Sequence, residues 1–274
     1  LAGVVYALTD GPAQGWTSPL ILATGLGGVA ALAGFVVWER RVAAPMLPLD
    51  IFASRQFTSA NLVTFVVYGA LGGSLFLLPI QLQRVVGYSP LASGVALVPV
   101  TAIMLLLSAR AGRLASRIGP RLPMTVGPLL VAAGFALFTR IGPGASYLVD
   151  ILPASLVYGL GLVLTVAPLT STVLAAAPAE HAGIASAVNN DVARTAGLLA
   201  VAVLPVVAGI TGADALEPAR FADGFRTAMT VAAVLCAAGG ALSWLTIRNP
   251  EPEPEPEHHL SCPLSAPAPA GRRA

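Results

Sequence analysis

An all-α membrane protein is the fold class this sequence predicts, and three observations carry it. Only 10% of the 274 residues are charged while 56% are hydrophobic, whereas soluble domains carry roughly 25% charge. Uncharged stretches run from Arg55 to Arg84, from Arg84 to Arg110 and from Asp150 to Glu180, each at or beyond the ~20 residues a helix needs to cross the hydrocarbon core. Those stretches are continuously apolar, without the alternation of a transmembrane barrel, and a helix satisfies its own backbone polar groups in lipid.

The elements follow in chain order. LAGVVYAL at residues 1–8 reads as the last two turns of a helix, running into the turn-like TDGPAQGW. It has no basic leader of the kind a signal peptide carries. The expectation is that the chain is a C-terminal fragment of a longer protein. Charge-free runs between turn signals then predict seven spans, at 19–38, 57–81, 91–109, 122–139, 148–174, 192–212 and 226–247. Pro79, Pro99, Pro128 and Pro168 fall inside them, which a bundle tolerates because neighbouring helices satisfy the freed carbonyls. The organisation expected is a segment 1–56 holding a helix end, an outer loop, a linker span and a cytoplasmic stretch, then six spans over 57–247. A polar segment 248–274 follows, with alternating Pro and Glu and no apolar period, predicting a disordered tail. Its adjacent His258 and His259 are too few ligands for a metal site. Cys236 lies in an apolar run and Cys262 in the tail, so no disulfide framework is expected.

Arginine placement orients the bundle. All fifteen basic side chains are Arg. With the 10–18 loop outside, the inner segments hold Arg40, Arg41, Arg55, Arg110, Arg113, Arg117, Arg121, Arg194, Arg248, Arg272 and Arg273. The outer ones hold Arg84, Arg140, Arg220 and Arg226. Positive charge retains loops on the cytoplasmic side, so the prediction is a multi-pass protein of the cell (plasma or inner) membrane with its C-terminus in the cytoplasm. A formal net charge of +2 gives no reason to expect a nucleic-acid partner; the bilayer is the partner composition demands.

Arginine gathers most densely in SARAGRLASRIGPR, residues 108–121. The core of that stretch, GRLASRIGPR, resembles the signature loop of the major facilitator superfamily, G-x-L-a-D-r-x-G-r-r. In that family the loop joins the second and third helices of each six-helix half, and here it joins the second and third predicted helices after residue 56. Gly112, Leu114, Arg117, Gly119 and Arg121 match. Ser116 stands where the family has Asp, and Pro120 where it often has Arg, a degenerate pattern usual in the second half. WERRVAAPMLPLDIF at 38–52, LPIQLQRVVGYSPLASGVALVP at 78–99 and AAPAEHAGIASAVNNDVARTAGLLAVAV at 176–203 extend the resemblance to the fourteen-span drug:proton antiporters of the EmrB/QacA type. It implies a major facilitator C-terminal six-helix domain preceded by a linker helix, with the N-terminal half absent from this chain.

Candidate residues carry two readings each. Gly112, Arg113, Arg117, Gly119 and Arg121 form either a cytoplasmic gate, with arginines reaching helix C-termini or carboxylates, or a purely topological signal. In SAVNNDVARTAG, residues 186–197, Asn189, Asn190 and Asp191 are positioned to cap the helix at 192–212. Alternatively Asp191 accepts from the gate arginines, or pairs with Arg194 one turn away. Asn61, Tyr68, Gln81, Gln83, Tyr158 and Thr165 are candidate cavity-lining groups, or bonds across helices. No carboxylate is expected near a span centre; Asp150, Asp191 and Asp223 sit at predicted edges. A coupling acid is therefore expected in the absent N-terminal half, as the resemblance also implies.

No nucleotide loop, zinc-protease helix or nucleophile elbow is present in the sequence. The function expected is secondary transport driven by a proton gradient, without a cofactor and without enzyme chemistry: the C-terminal half of a multidrug efflux antiporter. It would take small lipophilic or cationic compounds by alternating access, between this half and the N-terminal one. The alternatives are a facilitator exporting one specific metabolite or antibiotic, and a non-transporting membrane scaffold.

Overall fold

A computed structural model describes residues 1–42, 45–211 and 217–249. Among these the secondary structure is helical throughout, with no strand. The helices are α1 (Ala2–Gln14), α2 (Pro19–Glu39), α3 (Arg55–Arg84), α4 (Pro90–Ala96), α5 (Val98–Ile118), α6 (Arg121–Phe138), α7 (Leu152–Ala175), α8 (Ala182–Val207) and α9 (Pro218–Thr246). Seven segments are long and apolar enough to span a membrane, α4 and α5 counting as one. Most of the tail predicted at 248–274, with His258 and His259, lies outside the described residues, as does Asp214.

Local chemistry explains the helix limits. Ser54 opens α3 by accepting from the Phe57 amide at 3.3 Å, and Ser89 opens α4 by accepting from Ala92 at 3.2 Å, with Pro90 behind it. Pro99, at the start of α5, has no amide hydrogen to continue the ladder from α4, so the span breaks at Leu97. Gly119, at φ 82°, ends α5 and turns the chain into α6.

Four boundaries differ from the sequence reading. α1 continues to Gln14, through Pro12, where TDGPAQGW was expected to turn. α5 runs nine residues past the predicted end at 109, because Arg is a good helix former whose long stem carries its charge outward. α8 begins ten residues before the predicted 192, so Asn189, Asn190 and Asp191 are interior residues and not caps. α9 begins eight residues before 226, its first turns carrying the Asp223–Arg226 ion pair at 3.3 Å.

The core is a ring of contacts. α6 packs on α7 and α9, α3 packs on α8 and α9, α3 also touches α7, and α5 lies on α7. α1 pairs with α2 and touches α8. Small residues permit the closest crossings: a Cβ at Gly72 of α3 would sit 2.6 Å from the Gly197 Cα of α8, and one at Gly161 of α7 would sit 2.5 Å from the Val131 amide of α6. In a bilayer such backbone approach, and not apolar burial, drives helix association. Gly25 and Gly28 of α2 meet Ala7 and Val4 of α1 in the same way.

Candidate functional site

The arginine-rich stretch is mostly helix. Arg110, Gly112, Arg113 and Arg117 ride on the last turns of α5, and only Gly119 and Pro120 separate it from Arg121, the first residue of α6. Arg121 is docked on the end of α9. Its Nε donates to the Trp244 carbonyl at 3.0 Å, its guanidinium lies 4.2 Å from the Trp244 ring centre, and its amide donates to Asn249 Oδ1 at 3.1 Å. The Asn249 amide reaches the Ile118 carbonyl at 3.5 Å, so the turn is tied to α9 from both sides. Gly119 leaves room for the Asn249 side chain, which a Cβ there would strike. Gly112 faces open space.

Arg113 and Arg117 behave differently. Both are exposed, and neither forms an ion pair among the described residues. Arg117 lines a cleft of about 620 Å³ with Gly112, Ser116, Ser171 and Asn249. A second cleft of about 730 Å³, lined by Arg55, Gln56, Thr246 and Arg248, shares Pro120, Thr172, Ala175 and Asn249 with the first. The loop end of the bundle is thus one continuous basic depression between α3, α5, α7 and α9.

A second constellation lies at the α3–α8 crossing. Asn189 of α8 donates through Nδ2 to Thr64 Oγ1 at 2.7 Å and to Asn61 Oδ1 at 3.2 Å. Asn61 and Thr64 in turn donate to the Phe57 and Ala60 carbonyls of their own helix, each at 2.9 Å. Asn190, Asp191 and Arg194 occupy the exposed face of the same helix. Asp191 and Arg194 are the tenth and thirteenth of its 26 residues, roughly 14 and 18 Å from its start at 1.5 Å per residue. Neither pairs with the other or with Arg117 among the described residues. An acid therefore does sit in the interior of a spanning helix, contrary to the edge position expected for Asp191.

The other sequence candidates separate by burial. Tyr158 is 1% exposed and packs its ring against Phe135 and Phe138 at centroid distances of 5.2 and 5.7 Å, in the α6–α7 contact. Thr165 is buried against Gly127 of α6 and donates to the Gly161 carbonyl at 2.7 Å. Gln81 is fully buried and donates to the Ile141 carbonyl at 2.7 Å, joining α3 to the α6–α7 connection. Tyr68 is half-buried and Gln83 exposed on α3. Of the cavity set, only Asn61 joins a polar cluster across helices. Sequence reasoning overlooked Thr64, Trp244 and Asn249. Asn61 and Thr64 recur at helical spacing inside an apolar run, a signal that could have marked the seam; Trp244 and Asn249 carry none.

Comparison with known proteins agrees with this architecture. Residues 1–201 match the family described as Major Facilitator Superfamily. The chain belongs to that superfamily. It is 36% identical over 263 residues to the puromycin resistance protein of Streptomyces alboniger, covering 90% of this chain and 51% of the relative. It is 34% identical over 208 residues to the tetracenomycin C resistance and export protein of Streptomyces glaucescens, covering 74% and 38%. It is 31% identical over 218 residues to a multidrug resistance protein of Mycobacterium tuberculosis, covering 80% and 40%. The facilitator chain thus spans about half or less of the length of these relatives. Its spanning helices and this family make it a multi-pass membrane protein.

Proposed function

We propose that this chain is the C-terminal half of a proton-coupled efflux transporter of the fourteen-span antiporter type, exporting small lipophilic or cationic compounds by alternating access. Its partner would be an N-terminal half packed on the exposed sides of α5 and α8, with the cargo held between them. The C-terminus would lie in the cytoplasm, on the side holding most arginines. The observation that carries this reading is the polar face of α8. Asn190, Asp191 and Arg194 stand exposed in the interior of a spanning helix, where ionisable groups are costly unless they face a partner or an aqueous pathway. A face turned to lipid alone would not carry them.

Membership of the superfamily, and relatives named for resistance and export, support the same reading. Arg113 and Arg117, without acidic partners among the described residues, would serve the cytoplasmic gate, whereas Arg121 and Gly119 hold the loop to α9. The test is expression of the complete reading frame in an efflux-deficient bacterium, with dye and drug export from everted vesicles followed on imposing and collapsing a proton gradient. Gradient-dependent accumulation of several unrelated compounds is expected; accumulation unaffected by collapsing the gradient would sink proton coupling. Arg117→Ala should slow turnover severalfold with orientation unchanged, and unaltered turnover would leave that arginine only its topological role.

A second reading has its own support. Relatives are named for single antibiotics, puromycin, tetracenomycin C and methylenomycin A, which favours export of one compound. Loss of resistance to one compound alone on deletion, with dye export unchanged, selects it.

A further inference from the structure

We infer that the basic depression at the loop end of the bundle is a binding site for an acidic, proline-rich peptide, and that its occupant is this chain's own segment 250–257, PEPEPEPE. Three observations lead there. The first is charge without partners. Arg55, Arg117 and Arg248 line the two joined clefts of about 730 and 620 Å³, and none forms an ion pair among the described residues. The acids Asp50 and Glu180 line a smaller pocket with His181 that meets the larger cleft at Ala176, and neither pairs with these arginines among the described residues.

The second is where the chain leaves the bundle. Gln56 of α3 grips the Arg248 backbone from both sides, its Nε2 donating to the carbonyl at 3.0 Å and its Oε1 accepting from the amide at 3.1 Å. Asn249 is held by the Arg121 amide and the Ile118 carbonyl, and it lines both clefts. Asn249, the residue before this segment, therefore stands on the wall the two clefts share. Six hundred cubic ångströms of basic space lie within a few residues' reach, since a proline-rich strand advances about 3.1 Å per residue.

The third is composition. Glu251, Glu253, Glu255 and Glu257 alternate with prolines, which restrict the chain before binding and so reduce the ordering cost. Exposed ion pairs are individually weak and salt-screened, but the tether raises the local concentration of the second partner to about the millimolar range, enough for several weak pairs to act together. An occupied cleft would link the ends of α3, α5, α7 and α9. On the transport reading proposed above, it would restrain their relative motion; the binding itself does not depend on that reading.

The experiment uses the full chain in zwitterionic nanodiscs, in a Cys236→Ala, Cys262→Ser background, with spin labels at Leu122→Cys and Leu260→Cys for pulsed-dipolar distance measurement. A narrow distance distribution is expected at low salt. It should broaden at least twofold in molar salt, in Arg55→Gln/Arg117→Gln/Arg248→Gln, and in the fourfold Glu→Gln variant of 251, 253, 255 and 257, which alters no residue of the bundle. A distribution equally broad in all of these overturns the proposal. Repeating it in phosphatidylglycerol nanodiscs separates the alternative occupant: persistence of the narrow distribution supports the peptide, and its loss assigns the arginines to lipid phosphates instead. Since no step measures transport, failure here leaves the proposed function standing, and failure of transport leaves the site standing.

Discussion

The α6–α7 contact and the α3–α8 contact are both glycine-mediated crossings, yet they are built for opposite ends. At α6–α7 the backbones touch through Gly161 and Gly134, and the space around them is filled by Phe135, Phe138 and Tyr158. The Tyr158 hydroxyl has no hydrogen-bond partner among the described residues, while the Thr165 and Thr172 hydroxyls donate to carbonyls of their own helix. At α3–α8 the approach of Gly72 to Gly197 is followed toward the loop end by Asn61, Thr64 and Asn189, and then by an exposed polar face. A dry, interlocked contact has one low-energy arrangement. A contact held by side-chain hydrogen bonds beside exposed polar groups can exchange partners, which the transport reading proposed above would require of α8.

Substitutions sharpen the contrast. Gly161→Val should have the largest effect, because the added Cβ meets backbone that cannot yield. Overpacking of about 3 kcal/mol is expected, read as loss of the monodisperse folded species in detergent; a normal melting profile would break the claim that α6–α7 is rigid. Asp191→Asn is expected to lower transport about tenfold in vesicles while leaving the melting temperature within a degree or two. A matching loss of stability would reassign the α8 face to structure. Gly119→Ala combines a positive φ with a clash against Asn249, and about 1–2 kcal/mol is expected in thermal unfolding. Asn189→Ala removes two interhelical bonds worth together about 1 kcal/mol, a smaller loss that α6–α7 should not feel. Gly112→Ala, facing open space, should change stability by less than about 0.5 kcal/mol; a larger cost would mean that the loop end packs against something more.

Much of the architecture was legible in the chain because membrane insertion reads local composition. The seven spans follow from short windows of sequence, whereas the α4–α5 break does not, since Pro99 was expected inside one continuous span at 91–109. The boundaries failed where one residue type serves two ends. Arg110, Arg113 and Arg117 marked a loop by charge, but arginine also extends a helix, and α5 continues through them. Asn189 and Asp191 carried the signature of a cap. Asn189 instead satisfies its amide across to α3, 125 and 128 residues away in sequence, and no window of sequence contains both partners. Among the site residues, Tyr158 and Thr165 offered polar groups in apolar spans, and only the facing helix shows that they are walled into the core.

By itself, then, the sequence determined the solvent, the number of spans and which end of the bundle is basic, since each depends on free energies summed over neighbouring residues. Only the tertiary structure decided which arginine is docked and which is left without a partner, which polar residue bonds across the seam and which stands exposed. Those outcomes depend on helix pairing, and pairing is set by how surfaces brought together from distant parts of the chain fit one another.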